Sequence, residues 1–286
     1  MSYTSPTLDR FQNEDLDVDY RRAAAETGNV CGMIDDEAAE FDCLSYEDTE
    51  TIIPRSEWAD RIKEIDDAGG WLERLICKVK NQGREGSCVY NAAAQATEIV
   101  FNRQFGVEQW TELSAISGYR NNASGPSTGS SVPGAMTWMT EHGLIPVDSE
   151  ANKAKVAQGL FQHVHPATGF WTKPAAGWPA TAKLFRVHEF LKLSSVEAWV
   201  SAQLNGFPCV GGRDMHCICH PRPLIDGGKV YSLYVNSWSE SWGAAYNTAN
   251  GPRRGFGIDS ESKIRTMTSR GAWCVRTVYV PPWLEG

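Results

Sequence analysis

A glycine-punctuated loop at 81–87 delivers Cys88 to the start of a helix running to about residue 105. Ala92, Ala93, Ala96, Ile99 and Val100 fall on its packing side. Small side chains let a helix lie close against its neighbours, so this helix is predicted to be central. From residue 207 onward the texture changes to short strands, at 207–210, 215–220, 230–236, 255–258 and 273–280. Helices first and strands later predict an α+β fold with the two segregated.

Around this frame, Pro54 opens a helix carrying Trp58, Ile62 and Ile65 at i, i+4 and i+7, stopped by Gly69-Gly70. Residues 121–134 read as a Gly/Ser/Pro loop, followed by a short helix at 135–142 that ends at Gly143. Residues 151–187 show little periodicity and read as a long surface excursion. Ser194-Ser195-Val196-Glu197 reads as a capping box opening a helix that closes at Gly206.

Composition narrows the function classes. The chain has 286 residues, is 42% apolar and 22% charged, and carries a formal net charge of −8. That is globular composition with a core large enough to need no staples. The acidic balance argues against nucleic acid as a partner. No apolar run approaches the roughly 20 residues that span a membrane. The N-terminus lacks the basic-then-apolar pattern of a secretion signal, so the expected location is cytoplasmic or within an assembly. The eight cysteines are then expected as free thiols.

The net charge conceals a break. Residues 1–52 hold 14 acidic and 3 basic side chains, a net −11, whereas residues 53–286 hold 21 and 24, a net +3. The first segment is poor in branched apolar residues and cannot bury much alone. It is expected to be an acidic arm, tail or pro-segment that docks on the body in cis or on a neighbouring subunit. Residues 53–286 form the body, with helices over about 70–190 and strands over about 191–280.

Three segments carry chemistry: 79–88, V-K-N-Q-G-R-E-G-S-C; 214–217, D-M-H-C; and 235–243, V-N-S-W-S-E-S-W-G. At a loop-to-helix junction, backbone N–H groups and the helix dipole favour a thiolate at Cys88. His216 opens a strand far away in sequence that a fold can bring beside the sulfur, where an imidazolium lowers the thiol pKa further and can later donate a proton to a leaving amine. Asn236 can accept from the imidazole N–H and fix its orientation. Gln82, with the Cys88 N–H, can bind a tetrahedral oxyanion.

These segments resemble the papain-like cysteine peptidases, whose pattern runs V-K-N-Q-G-x-C-G-S-C-W, then a strand-opening His about 130 residues on, then N-S-W-G-x-x-W-G. Here His216 and Asn236 follow Cys88 by 128 and 148 residues. Ile53-Pro54 and Trp58 resemble the family's mature start, Leu113-Ser114 its L-S after the catalytic helix, and 129–135 its substrate-contacting glycine stretch. The resemblance covers about 53–280. It implies a helical left lobe, an antiparallel β-barrel-like right lobe and a cleft between them. It implies Cys88 as nucleophile, His216 as base and acid, Asn236 as orienter and Gln82 as oxyanion donor. Gly129 and Ser130 would contact a peptide or protein substrate, and Trp238 would shield the His–Asn hydrogen bond.

The chain departs from the pattern at the cleft. Glu85 and Ser127 stand where the family pairs two cysteines, Val89 where it has Trp, Ser130 where it has the second glycine, and Ser239 where Gly follows N-S-W. These changes put substrate preference in question and leave the triad intact. The alternative reading is a papain-fold structural or binding subunit of a larger assembly, for example a virus-like particle, contacted by the acidic arm. An acyl transferase or deamidase commonly uses Asp as third member, so Asn236 favours the peptidase. His216, Cys217, Cys219 and His220 resemble metal ligands, but a strand points the histidines and the cysteines to opposite faces. No metal or other cofactor is expected.

Overall fold

The computed structural model describes residues 3–12, 15–34, 43–69 and 71–285. The acidic stretch at 35–42, part of the expected arm, lies outside them. In chain order the helices are α1 (Tyr20–Thr27), α2 (Tyr46–Thr49), α3 (Trp58–Asp67), α4 (Cys88–Phe105), α5 (Ala115–Asn122), α6 (Val132–Glu141), α7 (Glu150–Ala157), α8 (Trp178–Ala182), α9 (Val196–Leu204) and α10 (Glu261–Arg270). The strands are β1 (Val187–Leu193), β2 (Cys209–Arg213), β3 (His216–Asp226), β4 (Lys229–Val235), β5 (Ala244–Thr248), β6 (Gly251–Ser260) and β7 (Ala272–Val278). They form one antiparallel sheet in the order β1-β7-β2-β3-β4-β6-β5. The architecture is α+β.

Helix α4 packs against β3 and β7 on one side and against α5 and α6 on another. Every residue from Cys88 to Asn102 is buried. Alanines at 92, 93, 94 and 96 make that approach sterically available. Glu98, on this helix, is held by Lys80 Nζ at 2.6 Å, the Leu113 N–H at 2.7 Å and Trp110 Nε1 at 3.0 Å. Burial pushes its carboxyl up and the Lys80 ammonium pulls it back. This buried pair ties the loop before Cys88 to the middle of α4.

Local chemistry moves several boundaries. Helix α6 begins at Val132 because Ser131 Oγ accepts from the Gly134 N–H, and Pro133 is tolerated in the first turn. Ser195 alone caps α9 by accepting from Ala198 N–H, so the expected capping box with Glu197 does not form. The 151–187 segment is more than a surface excursion. It contains α7 and α8, and Phe161, Phe170 and Phe185 enter the main core. Strands β1 and β5 and helix α10 are additions to the expected elements.

The β2–β3 hairpin turns on two residues, Asp214 (φ 53°) and Met215 (φ 62°). A positive φ at both central positions is what a tight two-residue hairpin matching the strand twist demands, although glycine or asparagine usually supplies it. The turn places His216 at the first position of β3.

The N-terminal segment is built into the body. Ser5 N–H donates to the Ile225 carbonyl at 2.7 Å, and Tyr3 Oη donates to Asp66 at 2.7 Å. Tyr20 and Tyr46 are fully buried. Asn205 Nδ2 donates to Tyr46 Oη at 2.7 Å, and Glu50 pairs with Arg276 at 2.8 Å. Pro54 precedes a short turn that runs into α3, whose Trp58 and Ile62 join a second core beside α9 and α10.

Candidate active site

Cys88 is the first residue of α4, and Ser87 precedes it in a non-helical conformation. Its thiol is fully buried, and burial pushes its pKa up to about 11. The backbone N–H groups of Cys217, Gly32, Val89 and Cys88 itself oppose that shift. The helix-junction argument for a thiolate therefore captures only the weaker effect in this covered state.

His216 Nε2 lies 2.8 Å from Asn236 Oδ1. That oxygen also accepts the Ser237 N–H at 2.7 Å, which identifies it as the acceptor and Nε2 as the proton-bearing nitrogen. The tautomer leaves a lone pair on Nδ1, which is buried and has no hydrogen-bond partner. Burial lowers the imidazole pKa to about 4. Thiol and imidazole are thus both neutral at pH 7. Asn236 follows β4 directly, and its N–H donates to the Gly255 carbonyl at 2.8 Å, which fixes it between β4 and β6. Trp238 is buried and packs on the His216 ring with centroids 4.7 Å apart, so the His216–Asn236 bond lies beside an aromatic wall.

Gln82 is set by Ser237. Gln82 N–H donates to the Ser237 carbonyl at 2.8 Å, and Ser237 Oγ donates to Gln82 Oε1 at 2.6 Å. This leaves the Gln82 amide as a donor. It gives its protons to the carbonyls of Glu85 at 2.7 Å and Val30 at 2.8 Å. One Ser237 residue therefore orients both Gln82 and Asn236. Its signal in the sequence is the serine of the N-S-W triplet itself, between Asn236 and Trp238.

Gly129 and Ser130 hold the N-terminal segment. Ser130 N–H donates to the Gly32 carbonyl at 2.8 Å, and Ile34 N–H donates to the Ser130 carbonyl at 3.0 Å, a parallel bridge centred on Met33 and Ser130. Met33 N–H reaches the Met215 carbonyl at 2.8 Å. A Cβ at Gly129, whose φ is +77°, would collide with the Gly32 carbonyl. A Cβ at Gly32 would collide with the carbonyl of Gly86. On the other side, Tyr20 lays its ring on His216, with centroids 4.6 Å apart. Residues 20–34 thus lie on Gln82, Gly129, Ser130, His216 and Trp238.

Glu85, standing where a cysteine was expected, ties down the neighbouring loop instead. Its Oε1 accepts the N–H groups of Gly169 at 3.0 Å and Phe170 at 2.6 Å. All eight cysteines are free. Ser239, standing where glycine was expected, adopts φ +68°, the left-handed conformation that favours glycine. No helix among the described residues is long and apolar enough to cross a membrane. His220 is fully buried with no hydrogen-bond partner on either ring nitrogen.

No family model matches the sequence, and no curated protein matches it. Solved structures do. The digestive procathepsin L2 proteinase from Tenebrio molitor larval midgut aligns over 90% of this chain and 88% of its own, at 15% identity and a TM-score of 0.58. The proCathepsin B S9 from Trypanosoma congolense aligns over 90% and 89%, at 12% identity and a TM-score of 0.55. A recombinant stem bromelain precursor aligns over 88% and 78%, at 14% identity and a TM-score of 0.53. The fold of this chain is papain-like.

Proposed function

We propose that this chain is a papain-like cysteine peptidase whose cleft is covered by its own N-terminal segment. The observation that carries the reading is the His216 Nε2–Asn236 Oδ1 bond, which leaves Nδ1 as a free base, together with Cys88 at the head of α4 and the Gln82 amide oriented by Ser237. Cys88 sulfur attacks a peptide carbonyl carbon while His216 takes the thiol proton. The Gln82 amide and the Cys88 N–H stabilise the oxyanion. The C–N bond breaks as His216 protonates the leaving amine. Water, deprotonated by His216, then hydrolyses the thioester and regenerates the thiol. The body's Gly129–Ser130 backbone pairs with the acyl part of the substrate, as it pairs with Gly32 and Ile34 here. Trp238 borders the leaving-group side.

The covering segment runs against that polarity. His216 protonates the leaving amine, so the leaving fragment lies on its side and the acyl fragment on the Ser130 side. A substrate therefore passes Ser130 first and His216 last. Residues 20–34 pass His216 first, then Cys88, then Ser130, and present no bond in the cleavable direction. The neighbours titled procathepsin and precursor support this assignment, because the aligned share of this chain is larger than residues 53–286 alone supply. On this reading residues 1–52 are a pro-segment.

The test is peptide-library hydrolysis by wild-type chain whose arm has been cut between residues 34 and 53 by limited proteolysis. Cys88→Ala chain treated identically is the control. Fragment release by the wild type alone is expected. Equal release by both contradicts the proposal.

A further inference from the structure

The side chain that seals the leaving-group side is itself informative about what that side accepts. Tyr20 comes from the covering segment, yet the aromatic rings and the guanidinium that face its ring belong to the body. His216, Trp238, Tyr234 and Trp242 surround it, with centroids 4.6, 5.7, 6.1 and 6.4 Å from that of Tyr20. The Trp238 and Tyr234 contacts are edge-on, at 88° and 69°. Arg213 closes the floor, its guanidinium carbon 4.5 Å from the Tyr20 centroid.

Arg213 is 1% exposed and is clamped by Asp259, whose two carboxylate oxygens lie 2.5 and 3.3 Å from Nη2 and Nε, while Nη1 donates to Asp214 Oδ2 at 2.6 Å and to the Val18 carbonyl at 2.5 Å. A buried guanidinium held flat in this way offers a face to a π-system, and such a contact gains strength where water is excluded. The slot is therefore shaped for a flat ring and is floored by the face of a carboxylate-paired guanidinium. An aliphatic side chain leaves that face without a π partner, and a basic side chain loses its water among aromatic rings beside a second cation. The catalytic imidazole is one wall of the slot, so its occupant sits next to the departing amine.

We propose that this slot, once residues 20–34 withdraw, takes the side chain of a tyrosine or phenylalanine in the leaving fragment of the substrate, with Arg213 as the specificity-determining residue. The inference rests on the peptidase reading for the word substrate. The slot itself is defined by its five walls.

The test separates the two. In the full chain carrying Cys88→Ala and Tyr20→Ala, which vacates the slot, N-acetyl-tyrosinamide, N-acetyl-leucinamide and N-acetyl-lysinamide are titrated. Binding is read by calorimetry and by the NMR shift of the His216 ring. The tyrosine amide is expected to bind at least tenfold more tightly than the leucine amide and to move the His216 signal, with no binding of the lysine amide. Arg213→Lys, which keeps the charge and loses the plane, is expected to abolish the tyrosine-over-leucine preference. If that variant fails to fold, Trp242→Ala on the rim is expected to reduce the preference. Equal binding of leucine and tyrosine amides, or saturation without a His216 shift, overturns the slot. A peptide library is then offered to the Tyr20→Ala chain with Cys88 intact and its arm cut. Turnover without aromatic preference at any leaving-side position overturns the slot and leaves the peptidase reading. Absence of turnover with the amide order intact overturns the peptidase reading and leaves the slot.

Discussion

The amide of Gln82 donates to the carbonyl oxygen of Val30 at 2.8 Å, so a donor shaped for an oxyanion is occupied by the chain's own backbone. With the Cys88 thiol raised to about 11 and the His216 imidazole lowered to about 4, both by burial, the covered site is electrically neutral. Desolvation is the common cause, and the Tyr20 ring on His216 and Gly32 beside Cys88 contribute to it. Each expectation below separates the covering from the chemistry beneath it.

Cys88 in the intact chain is expected to react slowly with iodoacetamide at pH 7, because only the thiolate attacks. Its rate should climb with pH toward an apparent pKa near 11. Cutting the arm returns water and lets the helix terminus and imidazole act, so the profile should move down in pH and the rate at pH 7 should rise at least tenfold. Mass spectrometry of the labelled chain over a pH series checks both.

Acid should loosen the cover. The folded pKa of His216 lies below its ordinary value near 6.5, so the covered state gains stability from a neutral imidazole above pH 6.5. That contribution is lost as pH falls from 6.5 to about 4, where it amounts to roughly 3 kcal/mol. Protease sensitivity of residues 20–34 is therefore expected to rise over this window. His216→Phe, which cannot take up a proton, should flatten that part of the rise.

Ser237→Ala removes the hydroxyl that points Gln82. In the arm-cut chain it is expected to lower kcat by about tenfold with KM little changed. Gln82→Ala, which removes the donor itself, should cost about 10²–10³ in kcat. Steady-state kinetics on one peptide gives the comparison.

Glu85→Ala strips two backbone N–H groups of a charged acceptor and should destabilise the chain by about 1–3 kcal/mol in urea unfolding. Glu85→Gln keeps one acceptor oxygen and should cost less. Lys80→Met leaves Glu98 buried without its cation and should cost about 3–5 kcal/mol.

Much of this was legible in the sequence because the informative residues sit in short local patterns. The run of small residues after Cys88 identified α4 to its ends, and the spacing of His216 and Asn236 picked out two residues whose side chains are hydrogen-bonded. What escaped was non-local. Helix α10 buries only Ile264, Met267 and Thr268 in a polar segment, which leaves no stripe to read. Phe161, Phe170 and Phe185 enter the core from irregular backbone, where no period exists. The acidic excess of residues 1–52 is plain in the sequence, yet the contacts that seat residues 20–34 are backbone pairing at Ser130 and the Tyr20 ring on His216, neither of which charge reports.

A Cys88–His216 site that becomes competent once residues 20–34 leave it is tested by the peptide hydrolysis rate of one wild-type preparation before and after its arm is cut, beside Cys88→Ala. A silent intact chain, an active cut chain and no activity from Cys88→Ala in either state are expected. Equal rates before and after cutting, or hydrolysis that survives Cys88→Ala, would contradict this reading.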